Sequence, residues 1–311
     1  MNTVKANKKI AVLLLAFGGP VSSEEVEPFI KNVTGGEIAP DKIQMVLERY
    51  KKIGGKSPLL EITQKQADLL QEMLNQNENR FLVFVGMRYW RPFIADTLKT
   101  IISNEIEKII VLPMTPYYSR ASTGGYYNDF LKSLSQSDKK ADYIFIKNWH
   151  DHPLFIKAFT ESIIEQKNKF LNKDPEIIFS AHSIPEKFIN EGDPYVSQIK
   201  ETIEAVLKNT GLARWHLAFQ SRGLSSMEWI GPEVSYVLEK IKNTNKKDVL
   251  LVPIGFISDH IETLYDIDIL YKNEASRLGL NFRRVPSLNT NPTFIKSLEG
   301  LVRGYLQEDL K

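Results

Sequence analysis

Cysteine is absent from the 311 residues. That one absence removes disulfides, thiolate-bound zinc, iron–sulfur clusters and any cysteine nucleophile. Long hydrophobic runs are missing too. The first apolar stretch, Ile10 to Phe17 after Lys8-Lys9, covers eight residues, against the roughly 20 that span a bilayer. Its exit through Gly18-Gly19-Pro20 reads as a strand end rather than a signal-peptide cleavage site, so a cytoplasmic protein is expected. Neither sign of charge dominates. Lys and Arg number 40 against 38 Asp and Glu, a net +2, and nothing in that balance asks for nucleic acid as a partner. Gly18-Gly19 has no third glycine in register, and no glycine loop leads into a Walker lysine and hydroxyl. Nucleotide binding is left without a carrier.

What is present is an ordinary globular composition, 42% apolar and 25% charged. Short β-rich runs recur near 9–16, 81–87, 108–113, 142–148, 176–181, 214–219, 248–254 and 281–285. Amphipathic patterns fill the intervals, among them 61–76, 153–170, 195–208, 259–277 and 292–308. The strand runs are continuously apolar rather than alternating, as strands are when helices cover both faces of a parallel sheet. Glu107 to Met114 resembles Lys247 to Ile254, and the strand 9–16 resembles 176–181. The expected fold class is therefore α/β: two similar Rossmann-like halves, each a four-stranded parallel sheet flanked by helices, with a cleft between them. Residues 1–149 would form the first half. Residues 150–311 would form the second and carry the chemistry, with helix 292–308 free to pack back on the first.

The groups for chemistry sit where predicted strands empty into helices, the end at which such folds place ligands. Phe179-Ser180-Ala181-His182-Ser183-Ile184-Pro185-Glu186 puts one imidazole at such a switch. Ser183 to Glu186 has the form of a capping box, which accounts for its serine and glutamate but leaves His182 unexplained. Val249 to Ile254 runs likewise into Gly255-Phe256-Ile257-Ser258-Asp259-His260-Ile261-Glu262. Asp259 and Glu262 also have capping-box spacing. On a regular helix Asp259, Glu262 and Asp266 would share one stripe, a solvated acidic face or a path for cations. His260 would point about 200° away from Glu262 on the same helix. Phe17, Arg88-Tyr89-Trp90 and Tyr117-Tyr118 stand at other strand ends. These groups suit a flat aromatic ligand with anionic edges, the rings supplying faces and Arg88 or Arg120 pairing with carboxylates.

At these residues the chain resembles the ferrochelatase family. The likeness runs through Leu15-Ala16-Phe17-Gly18-Gly19-Pro20, Ile53-Gly54-Gly55-Lys56-Ser57-Pro58, Ser180-Ala181-His182-Ser183-Ile184-Pro185, Gly192-Asp193-Pro194-Tyr195, Trp229-Ile230-Gly231-Pro232 and Pro253 to Leu264, in order and at compatible spacings. The resemblance implies insertion of Fe²⁺ into a porphyrin. It makes porphyrin and ferrous iron substrates, with no prosthetic group and no iron–sulfur cluster. It assigns His182 and Glu262 to the metal and the pyrrole nitrogens, Asp259, His260 and Asp266 to support, and Phe17, Tyr118 and Trp229 to the macrocycle pocket. Metallation removes two N–H protons, which an imidazole on one side of the ring and a carboxylate on the opposing side could share.

Two departures qualify the likeness: position 270 is Leu, which shortens the acidic path, and the segment 29–40 is too sparsely apolar to favour peripheral membrane contact. Protoporphyrin IX is the expected substrate, with protohaem as product. Coproporphyrin III, carrying four propionates, would ask for more cations. A non-catalytic tetrapyrrole or metal carrier is a more distant alternative. A non-haem iron oxygenase using His182, His260 and Glu262 would need residues 260 and 262 on one face. A transient iron donor or haem acceptor would complete the partners. Replacing His182 by Ala is expected to leave the melting temperature near that of the parent and to abolish metal insertion, as thermal melts and anaerobic turnover would record.

Overall fold

The computed structural model describes residues 9–104, 106–137, 141–222 and 227–309. Among the described residues eight strands form two parallel sheets. The first contains β1 (Lys9–Ala16), β2 (Phe81–Met87), β3 (Ile106–Pro113) and β4 (Asp142–Phe145), in the spatial order β2-β1-β3-β4. The second contains β5 (Glu176–His182), β6 (Trp215–Gln220), β7 (Asp248–Val252) and β8 (Asn281–Arg284), in the order β6-β5-β7-β8. Each sheet begins at an inner strand, steps to one edge and then crosses to the other side. The matching orders put β1 and β5 in equivalent places, and likewise β3 and β7, the pairs whose sequences are alike. The expected α/β class with two similar halves is the fold observed.

Period-two burial within the apolar runs explains their continuity. Ile10, Val12 and Leu14 of β1 point into one core, while Ala11, Leu13 and Leu15 point into another on the opposite face. Both faces are dry, so no position in the run can be polar. The larger core passes from one half into the other without a break, joining Val12 and Leu14 to Phe179 and Leu250 through Phe155, Ile199 and Phe294. Burying each such side chain contributes about 1.5–3 kcal/mol. The two sheets are therefore fused by a shared interior. Helix Pro292–Asp309 belongs to that interior. It packs against Leu59–Leu74 and Pro153–Lys167, and its Arg303 bonds to Glu78 and to the Leu74 carbonyl.

Local chemistry departs from the sequence-based expectation at two helix starts. The short helix Glu186–Asn190 has no side-chain cap, because the Ser183 hydroxyl donates to the Ile230 carbonyl instead. The segment expected as a regular helix over 259–277 is a π-helix over Glu262–Tyr271 followed by one α-helical turn and a half to Arg277. Asp259 and His260 precede it, so neither a second capping box nor a three-carboxylate stripe forms. The Asp259 carboxylate is a clasp. It takes the Arg284 guanidinium at 3.0 Å together with Ser287, Asn289 and Thr263, tying the entry of the π-helix to the chain after β8.

Burial pushes the Asp259 carboxyl up, but Arg284 and the three hydrogen bonds outweigh it and hold the group below its ordinary value of 3.8. A folded-state value below the unfolded one gives stability that is present above pH 3.8 and lost as pH falls through the depressed value. Asp259→Asn should therefore cost about 1.5–3 kcal/mol at pH 7, the range for hydrogen bonds to charged groups, and progressively less on acidification. Urea unfolding at a series of pH values measures both the size and the slope.

Candidate active site

The strand ends converge on a cleft of about 310 Å³ between the halves, lined from the first half by Ala16, Phe17, Gly18, Arg88 and Met114 and from the second by His182, Tyr195, Gly255, His260 and Glu262. A second hollow at edge strand β8 is polar and open, lined by Lys272, Arg283 and Arg284 among others. The cleft between the halves is less open and largely apolar, the form in which a flat hydrophobic ligand is held.

Pairing between β5 and β7 sets the chemistry. Phe179 lies in register with Val252, so the segments leaving these two strands run side by side. His182 ends β5, with its side chain 37% exposed, and Glu262 opens the π-helix, 23% exposed. Nε2 of His182 lies 3.7 Å from Oε1 of Glu262. The other ring nitrogen of His182 abuts the Ser183 carbonyl, which can only accept. Nδ1 therefore carries the proton in the neutral ring, and the lone pair of Nε2 faces the carboxylate. His260 repeats the arrangement: its Nδ1 meets the Ser258 carbonyl at 3.1 Å and its Nε2 lies 4.0 Å from the same Oε1. The remaining oxygen of Glu262, Oε2, is buried without a hydrogen-bond partner. Three acceptors thus surround one point with no donor of their own, an arrangement that favours a proton or a cation there.

The acidic path continues to Asp266, four residues on. A π-helix widens the turn, and such windings are frequent at functional sites. Asp266 accepts the Ser221 hydroxyl at 2.7 Å, and Arg49, from helix Pro40–Lys52 of the first half, comes within 3.8 Å. Leu270 stands at the next position of this stripe, partly exposed.

The residues expected around the pocket fare differently. Phe17 lines the cleft, 44% exposed, packed on Tyr89 at a centroid distance of 4.6 Å. Arg88 lines it too, but is already engaged: Nε donates to Asp129 at 2.8 Å and Nη1 to the Ala121 carbonyl at 3.0 Å. Its guanidinium fills the space a side chain at Gly125 would need, since a Cβ there would lie 2.0 Å from Nη1. Tyr118 does not line the cleft; its backbone N–H is bonded to Gln198 and draws it to the second half. Trp229 is also outside the lining and instead flanks His182, 6.4 Å between ring centroids. His182 and Glu262 flank one side of the cleft together, a correction to the expectation of opposing sides. His260 sits ahead of the helix, so the 200° objection to its joining Glu262 fails as well, although no three such groups among the described residues are spaced to hold a metal ion.

Several contributors carry no obvious sequence signal. Gly255 is required by close approach, since a Cβ there would come within 2.8 Å of the Ala181 backbone, directly before His182. Gln220 donates to the Glu262 carbonyl at 3.3 Å. Arg49 looks like any cation on a solvated helix. Tyr195, in the quoted Gly-Asp-Pro-Tyr motif, donates its hydroxyl to the His182 carbonyl at 3.0 Å.

The ferrochelatase family model matches residues 9–306. The chain belongs to the ferrochelatase family. Two relatives with that name show the extent of the likeness: one from Geotalea uraniireducens (strain Rf4) is 42% identical, with 95% of this chain and 97% of the relative covered, and one from Aquifex aeolicus is 39% identical, with 95% and 99% covered. Membership makes the chain an enzyme, a porphyrin metal chelatase of haem biosynthesis and a lyase. Among solved structures, SirB from Bacillus subtilis with Fe³⁺ superposes with a TM-score of 0.61 at 12% identity, covering 95% of this chain and 94% of its own. A second SirB, the sirohydrochlorin chelatase of Bacillus subtilis subspecies spizizenii in complex with cobalt, gives 0.56 at 10% identity, with 95% and 94% covered. At such identities the two share the fold. Among the described residues no helix is long and apolar enough to cross a membrane.

Asp266 titrates in the opposite sense to Asp259. Burial, and then the neighbouring Glu262, raises its carboxyl above the ordinary 3.8, against the lesser pull of Ser221, Arg49 and His260. The folded state then binds this proton more tightly than the unfolded chain, so stability declines as pH climbs from 3.8 through the raised value. Asp266→Asn keeps an acceptor for Ser221 and removes the charge. It should melt at or above the parent at pH 7, lose that advantage below pH 3.8, and turn over several-fold more slowly. Paired melts at both pH values with a turnover assay decide the matter.

Proposed function

We propose that this enzyme inserts Fe²⁺ into protoporphyrin IX, giving protohaem and two protons. The observation that carries the reading is the set of facing acceptors, His182 Nε2 and the Glu262 carboxylate 3.7 Å apart at the cleft wall, with His260 Nε2 behind them. Lone pairs so placed repel one another and are relieved by one positive species at a time. They suit a site that takes a ferrous ion, gives it up, and then accepts what the ring releases. One imidazole, one carboxylate and water make a weak ligand set compared with a closed structural site, and a metal that must move into four ring nitrogens has to be weakly held.

The proton balance follows the same groups. Each iron displaces two pyrrole protons. The neutral His182 ring, its Nδ1–H committed to Ser183, offers Nε2 as base for one. Glu262 receives the other, and Asp266, whose burial favours the protonated form, lies next along the π-helix toward the rim at Arg49. Phe17 and its neighbours supply the flat apolar wall against which the macrocycle lies.

The choice of porphyrin is argued from charge. Among the described residues lining the cleft, Arg88 is the one Lys or Arg. Its Nε and one Nη1 bond are used internally, leaving Nη2 for a propionate. That supply fits two propionates better than four. An anaerobic absorbance scan with Fe²⁺ or Zn²⁺ and each free base tests the whole reading. Protoporphyrin IX should convert from a four-banded to a two-banded spectrum with the higher kcat/KM. Faster conversion of coproporphyrin III would overturn the porphyrin assignment. Binding followed by release of unchanged porphyrin would make the protein a carrier.

A further inference from the structure

We infer that Asp193 is a positioning residue for His182, acting through Tyr195 at the seam where the two halves touch. Asp193 stands in the loop between the short helix Glu186–Asn190 and helix Tyr195–Thr210 of the second half, and is 6% exposed. Its Oδ1 accepts the Tyr195 backbone N–H at 3.1 Å. Its Oδ2 accepts two donors from the first half, the Ser119 hydroxyl at 3.0 Å and the Arg120 backbone N–H at 2.8 Å. No Lys or Arg side chain among the described residues is paired with it. The Arg120 guanidinium turns to Glu191 instead, at 2.7 Å. A buried carboxylate is thus held by three neutral donors, two of which belong to the first half.

The plain explanation of an aspartate here is a turn ahead of the helix, its side chain taking the N–H two residues on, and it accounts for Oδ1 alone. Oδ2 has no part in that turn. Its two bonds join the loop Tyr117–Ala121 to the start of helix 195–210, and neighbouring bonds run in the same direction. The Tyr117 hydroxyl donates to the Ile254 carbonyl at 3.1 Å, and the Tyr118 N–H to Gln198 at 2.7 Å. What this seam delivers to the chemistry is the Tyr195 hydroxyl, bonded at 3.0 Å to the carbonyl of His182. His182 is the last residue of β5, with its ring half in the cleft, so the turn that follows decides where Nε2 points. Tyr195 holds that turn from one side, while the Ser183 N–H bonded to the Gln220 carbonyl at 2.8 Å holds it from the other. Release of Oδ2 would let the Tyr195 ring and the His182 carbonyl drift together, and a displacement of about 1 Å in a reacting group can cost roughly 100-fold in rate.

The inference rests on His182 being the reacting base, and the test separates the two claims. Asn makes such a turn as readily as Asp, so Asp193→Asn keeps the bond to the Tyr195 N–H while presenting an amide N–H₂ where Oδ2 took two donors. Tyr195→Phe removes only the hydroxyl. Each should lower kcat roughly 10-fold or more, leave KM for the porphyrin within about 2-fold and leave the melting temperature of Tyr195→Phe near that of the parent. The double variant should be no slower than the worse single, because both changes break one line of contacts. Multiplying losses in the double variant, or losses in KM and melting temperature with kcat intact, would overturn the assignment. Should Asp193→Asn fail to fold, Ser119→Ala with Tyr195→Phe supplies the same cycle. Full turnover in His182→Ala would remove the base itself and the inference with it. A dead His182→Ala beside fully active Tyr195→Phe would leave the base in place and refute the positioning role alone.

Discussion

Everything in the candidate site depends on β5 and β7 being direct neighbours in a parallel sheet. Parallel strands leave a sheet from the same end, so the segments that follow them emerge together. The ladder from Glu176–Val249 to Phe179–Val252 fixes their relative height. A shift of one residue would turn each side chain to the other face and carry His182 away from the helix that begins at Glu262. The 3.7 Å between imidazole and carboxylate is therefore a property of the sheet, stiffened by dry cores on both faces, rather than of two flexible loops. Such stiffness is what lets two like-natured acceptors stay close.

The segment after β7 holds two aspartates with opposite electrostatic fates. Asp259 meets a guanidinium and three further donors, and its charge contributes to holding the chain after β8 in place. Asp266 is buried beside another carboxylate, with Ser221 bonded to it and Arg49 only at 3.8 Å. The first adds stability as a charge; the second carries an electrostatic penalty at neutral pH. A group that raises its proton affinity at the cost of stability is the kind found where protons are handled, and the two roles fall on residues seven apart in one chain segment.

The layers of the fold were legible in the sequence because burial on both faces leaves a plain record. The expected strands at 9–16 and 81–87 coincide with β1 and β2, and the likeness of 107–114 to 247–254 anticipates the matching places of β3 and β7. The strand exits marked where His182 and Glu262 would lie. Local hydrogen bonding was less legible. Ser183 has capping-box spacing, yet its hydroxyl serves Ile230, 47 residues along the chain, a partner no local pattern can reveal. The π-winding escaped because buried Thr263, Ile267 and Tyr271 recur every four residues, a spacing that an α-helix also accepts. Distance between His182 and Glu262, and the side of the cleft they share, come only from how the sheet packs on its helices.

The contact between Arg88 and Gly125 has a consequence for variation. The guanidinium lies where any side chain at 125 would have to be, 2.0 Å from its Cβ, so the two positions behave as a peg and its notch. An alanine at 125 would push the guanidinium aside, at the expense of its bonds to Asp129 and Ala121, and loss of Arg88 would open a hollow that a side chain at 125 could fill. Changing both together would reshape that wall of the cleft while leaving His182 and Glu262 of the other half untouched.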